Sequence, residues 1–68
     1  FEVSDDIKVK LEVYDINGIK ISELYNKYTE TGYYYINWNA HQYSSGIYFV
    51  KLTAGEYINT KKIILIKW

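Results

Sequence analysis

The chain offers few residues able to do covalent chemistry. His41 is its one imidazole and cysteine is absent, so no second soft ligand exists to complete a transition-metal site. Ser44 and Ser45 follow His41 closely enough to suggest a nucleophile and base. Two serines beside Gly46 more often satisfy turn backbone groups, and no catalytic residue is expected there. Asp5–Asp6 is a paired carboxylate that could hold a hard cation, but the alternating oxygen ligands of a calcium loop are missing. It reads as a solvated connection. Asp15 and Asn17 are better explained by turn geometry. Gly18, Gly32, Gly46 and Gly55 are far apart, each at a turn, so no phosphate-cradling loop is present. Neither a cofactor nor a metal is expected.

Two patterns fit binding better than catalysis. Tyr33 and Tyr35 project from the face opposite Tyr34, Ile36 and Trp38, and an exposed aromatic row can stack on a ligand. Aromatic packing across strands would stabilise a small sheet equally well. Lys61, Lys62 and Lys67 frame the apolar run Ile63–Ile66. They serve either as charges that suppress aggregation of a hydrophobic strand or as a recognition strip.

The elements that must position these residues are strands. In IKVKLEVY, Ile7, Val9, Leu11 and Val13 alternate with Lys8, Lys10, Glu12 and Tyr14, as in a half-buried antiparallel strand. Asp15-Ile16-Asn17-Gly18 is a tight turn, where Asn-Gly tolerates positive φ, and Ile19, Ile21 and Leu24 begin the return strand. Residues 25–31 read as polar and irregular. A second alternation runs from Tyr33 to Asn39, a loop from Asn39 to Ser45 closes at Gly46, and a strand covers Ile47–Thr53. Ala54-Gly55-Glu56 turns the chain into Tyr57–Trp68, where Ile63–Ile66 is apolar on both faces, as in a strand covered on both sides. Phe1 and Val3 look like the end of a strand already under way. The spacing of turns predicts a single antiparallel all-β sandwich over residues 1–68, with five clear strands and a truncated first one, six in all.

Composition narrows the function. Sixty-eight residues make one core, and nine Tyr, two Phe and two Trp supply large areas to bury. Eight basic against eight acidic residues leave no net charge, unlike the basic excess of a nucleic-acid binder. No apolar run approaches the ~18 residues of a membrane helix, and no signal peptide opens the chain.

Four blocks in order carry a resemblance: VKLEVYDINGIKI (9–21), Gly32 with YYYINWNA (33–40), SSGIYFVKLTAGE (44–56) and TKKIILIK (60–67). Together they resemble the type A C-terminal sorting domains of type IX secretion cargo in Bacteroidetes and, more distantly, the immunoglobulin-like domain of the flagellar hook-capping protein. The resemblance implies a small immunoglobulin-like sandwich of six to seven strands at the C-terminus of a larger secreted protein. It would direct an N-terminal cargo domain through the periplasm and across the outer membrane, to the medium or cell surface. Its implied partners are translocon and sortase components. By position, the turn block is Tyr14, Asp15, Asn17 and Gly18, the second block Gly46, Tyr48, Val50 and Leu52, and the terminal recognition strand Lys61, Lys62, Ile63, Leu65 and Lys67. Arginines common in the family are lysines here, at Lys20 and Lys61, which keeps charge and loses bidentate geometry.

Two other readings stand beside it. A carbohydrate-binding or adhesive module would use Tyr33 and Tyr35, and a structural assembly domain would self-associate. An uncovered edge could also drive a strand-swapped dimer.

Overall fold

A computed structural model describes residues 1–39 and 41–66. The strands are β1 (Glu2–Val3), β2 (Ile7–Tyr14), β3 (Lys20–Thr29), β4 (Gly32–Tyr33), β5 (Gly46–Ala54) and β6 (Tyr57–Leu65). They form two antiparallel sheets, a four-stranded one in the order β3-β2-β5-β6 and a two-stranded one, β1-β4. The result is a small, β-sandwich-like, all-strand domain.

β2 is the centre because its alternation suits a position with neighbours on both sides and a layer above. Val9 and Val13 are fully buried and Leu11 is 8% exposed. Val3 is buried in the small sheet, whose ladder continues through Phe1 and Tyr34: the Tyr34 N–H donates to the Phe1 carbonyl at 2.8 Å, and the Phe1 backbone nitrogen donates to the Tyr34 carbonyl at 2.7 Å. Two aromatic groups close the sides of this core. Phe1, Tyr25 and Tyr34 form one, and Trp38, Tyr43 and Tyr48 the other, with centroids 5.4–6.5 Å apart in mostly tilted or edge-on contacts.

The β2–β3 turn differs in detail from a two-residue Asn-Gly hairpin. Asn17 keeps negative φ, and Gly18 alone takes the left-handed conformation, at φ 80°. The Gly18 N–H donates to the Asp15 carbonyl at 3.0 Å and the Asp15 N–H to the Ile19 carbonyl at 2.9 Å. This is a type I turn followed by a glycine bulge. Gly55 carries φ 63° at the first position of the β5–β6 turn, with Glu56 not positive, matching the signs of a type II′ turn.

Three sequence expectations need correction. Residues 25–29 are strand, not irregular; the inward positions of β3 hold Tyr25, Lys27 and Thr29, so no aliphatic alternation announces it. Of the alternation from Tyr33 to Asn39 only Tyr33 lies in a strand, because β1 pairs no farther than Gly32 and Tyr33 in the regular ladder. The alternation itself is real: Tyr34, Ile36 and Trp38 are half-buried while Tyr33, Tyr35 and Asn37 are exposed. Finally, the last strand is covered on one face only. Ile63 and Leu65 are half-buried, whereas Ile64 and Ile66 are each 66% exposed, since among the described residues no layer packs on the outer face of the four-stranded sheet.

Candidate recognition surfaces

The terminal strand comes first. β6 is an edge of the four-stranded sheet, bonded to β5 on one side only. Its register sets Lys61 opposite Val50, Lys62 opposite Phe49 and Ile63 opposite Tyr48. Strand alternation therefore turns Lys61, Ile63 and Leu65 toward the inner face and Lys62 toward the outer one. The two lysines of the basic pair point to opposite sides. Lys67, the third member of the expected strip, lies outside the described residues.

On its inner side β6 borders a groove of about 730 Å³ between the two sheets. Val50, Leu52 and Ala54 form its floor, Asn59 and Lys61 its β6 wall, and residues 1–5 its other wall. Lys61 has a counterpart at the opposite edge, where Lys27 pairs with Val9 on the same inner face and holds its ammonium 5.1 Å from the Tyr25 ring centroid. A charge directed inward on an edge strand makes pairing with a second sheet costly. Both edges of this sheet carry one.

The turn block is built around one carboxylate. Asp15 Oδ1 accepts from the Asn17 N–H at 2.9 Å and the Ile19 N–H at 3.0 Å. Asp15 and Gly18 thus share the work of closing the hairpin. Tyr14 stands at its foot beside a charge group that the sequence reading missed. Lys20 Nζ lies 3.0 Å from Glu12 and 3.1 Å from Glu23. In a regular strand residues three apart face opposite ways. β3 bulges at Ile21 and again at Leu24, and the first bulge brings Lys20 round to the face of Glu23. Bulges of this kind leave no clear mark in the side-chain pattern.

The electrostatics follow. Burial works to raise the Glu12 carboxyl, but the Lys20 hydrogen bond and the charges of Lys10 and Lys20 outweigh it and hold the group below its ordinary 4.5. Glu23 is lowered chiefly by its hydrogen bond from Lys20, and Lys20 is raised by its bonds to Glu12 and then Glu23. Tyr14 is raised, first by burial and then by the neighbouring Glu12 charge.

In the second block Tyr48 is 7% exposed, and its hydroxyl donates to the Ser44 carbonyl at 2.6 Å. That bond ties the Asn39–Ser45 loop to β5, while Tyr43 reaches across to donate to the Ile21 carbonyl at 2.9 Å. Val50 and Leu52 line the groove, and Gly46 begins β5 opposite Leu65. The turn block and β6 are thus separate surfaces on different hairpins.

Of the remaining candidates, Asp6, His41 and Ser44 have structural employment, and Tyr33 and Tyr35 do not. Asp6 Oδ1 accepts from the Thr31 N–H at 2.9 Å, and its carbonyl accepts from the Tyr28 hydroxyl at 2.9 Å. Asn39 Oδ1 accepts from the His41 N–H at 3.2 Å, and the Ser44 carbonyl serves Tyr48. Tyr33 and Tyr35 are 77% and 95% exposed.

Compared with known proteins, the chain matches the model of the secretion system C-terminal sorting domain over residues 1–67. No curated protein and no solved structure matches it. With all but one residue inside the match, the chain belongs to the C-terminal sorting domains of type IX secretion.

Proposed function

We propose that this domain, the C-terminal sorting signal that sends a cargo protein through type IX secretion, is read at β6. Membership of the family implies a linked cargo and recognition by the secretion machinery, with the cargo secreted or placed at the cell surface. The observation that supports β6 is its unpaired backbone edge, flanked by Lys61 and Lys62 on opposite faces. A translocon strand added there would gain main-chain hydrogen bonds and meet one lysine on each face, with Ile63 and Leu65 offering apolar pockets for register. The inward Lys61 makes this edge selective, because an unselected strand with an apolar side chain opposite it would strand the ammonium. The same lysine disfavours a strand-swapped dimer through this edge. Catalysis has no part in this reading, and the cargo carries the biochemical activity.

The test is export of a fluorescent reporter bearing a periplasmic signal and the full 68-residue chain, compared between a type IX-competent strain and a translocon-deficient one. Replacing Lys61, Lys62 and Lys67 together by Gln should lower translocon-dependent export by about tenfold, the scale of a few charge-assisted contacts. The thermal midpoint of the purified fusion should stay unchanged. Undiminished export of the triple variant would sink the β6 reading while leaving family membership intact.

A further inference from the structure

Six of the aromatic residues pack in two groups of three. Phe1, Tyr25 and Tyr34, and Trp38, Tyr43 and Tyr48, pack ring against ring. Tyr28 uses its hydroxyl on the Asp6 carbonyl. The side chains of Tyr33 and Tyr35 make neither a ring contact nor a hydrogen bond with the described residues, and they are the most exposed aromatic side chains among them. The packing explanation open to them on sequence grounds is therefore removed.

Their placement has order. Exposure alternates from Thr31 to Asn39, so Thr31, Tyr33, Tyr35 and Asn37 share the outer side of the small layer. Residues two apart on an extended chain stand about 7 Å from each other, close enough for both rings to meet one extended ligand. Glu2 pairs with Tyr33 in register, which places an exposed carboxylate beside the first ring. The charge distribution then selects among ligands. Lys8, Lys10, Lys20, Lys27, Lys51, Lys61 and Lys62 all lie on strands of the four-stranded sheet, and none occurs between residues 28 and 50. With a carboxylate and no cationic side chain among its described residues, such a surface disfavours phosphate and sulfate polymers. Flat rings fringed by a carboxylate, a hydroxyl and an amide suit apolar C–H faces edged with hydroxyls.

We propose that Tyr33 and Tyr35, edged by Glu2, Thr31 and Asn37, form a stacking surface for a neutral glycan. Tyrosine suits such a role because it supplies a large, rigid, amphipathic contact at low entropic cost. This site is on the opposite layer from β6 and independent of sorting. The outer-face patch of Ile47, Ile64 and Ile66 carries no comparable inference, since Lys62 borders it and nothing in the structure indicates what covers it.

The test is native affinity electrophoresis of the chain fused to a fluorescent protein, through gels containing dextran, xylan, mannan or β-glucan, with heparin as the anionic control. At least one neutral polysaccharide should retard the fusion and heparin should not. Tyr33→Ala with Tyr35→Ala should weaken retardation by about tenfold, the scale of one or two aromatic stacks, while Tyr33→Phe with Tyr35→Phe should retain most of it. Both pairs are exposed, so the thermal midpoint should hold, and type IX export of the reporter should be unchanged. Absence of retardation by every neutral polymer, or retardation indifferent to the alanine pair, overturns the proposal. So does loss of export in the alanine pair with no effect on gels, which would make the surface a contact for the secretion machinery.

Discussion

Two halves of one sheet carry similar apolar side chains on the same face and bury them differently. On β2, Val9, Leu11 and Val13 are at most 8% exposed. Directly across the ladder, Leu52 faces Leu11 and Val50 faces Val13, yet both are only half-buried and border the groove. β6, one strand farther out, leaves Tyr57 59% exposed. The difference lies in cover rather than composition: the small sheet and its aromatic neighbours sit over the β2–β3 side, and the groove opens over β5–β6. Burial is thus greatest along β2 and at Tyr48, and the groove leaves surface for recognition along the rest of β5 and β6.

The largest test of this division is a matched pair of truncations. Val13→Ala removes two methyl groups from a fully enclosed site and should cost about 2 kcal/mol, a substantial part of the roughly 3–10 kcal/mol available to so small a domain. Val50→Ala, its cross-strand neighbour, should cost about half as much, since solvent already reaches it. Urea midpoints measure both. Equal costs would mean that the groove is closed in solution.

The two hairpin turns sharpen the contrast at smaller scale. Gly18→Ala should cost about 1–2 kcal/mol from its left-handed φ alone, because an added Cβ there has open space. Gly55→Ala meets the same backbone cost and also pushes on the end of the Ile7 side chain, so its loss should be the greater. Thermal midpoints that coincide would show that Ile7 moves aside freely.

The smallest effect is in pH. Glu12 and Glu23 are held below their ordinary 4.5, so their contribution is present above that value and lost as pH falls through the lowered ones. Lys20 and Tyr14 are raised, so theirs is present below about pH 10 and lost as pH rises through the raised values. Lys20→Met should flatten the acid limb of stability against pH, whereas Val50→Ala should shift the whole curve without changing its slope. A K20M curve parallel to wild type would disprove the role of the charge group.

How legible all this is in the sequence varies by region for physical reasons. β2 is plain because one strongly buried face imposes alternation on the other, β5 because it is β-branched and aromatic, and the turns because Gly18 and Gly55 take conformations that side chains disfavour. The second half of β3 is hidden because an edge strand can fill its inward positions with Tyr25, Lys27 and Thr29. The Glu12–Lys20–Glu23 group is hidden because a bulge changes which residues share a face. The basic pair on β6 can be seen, but its division between two faces depends on the register with β5. Order of motifs, not any one of them, led to the family.

The seam between β2 and β5 has a consequence in time. β2–β3 and β5–β6 are local hairpins, of the kind that forms in microseconds, but Val9 must find Ala54 before the sheet exists. Until β5 and β6 are in place, β2 therefore has one flank unpaired. A domain whose central strand gains its second neighbour only from the last hairpin is folded only as a whole, so a cut within β5 or β6 leaves the Val9–Val13 face open to solvent.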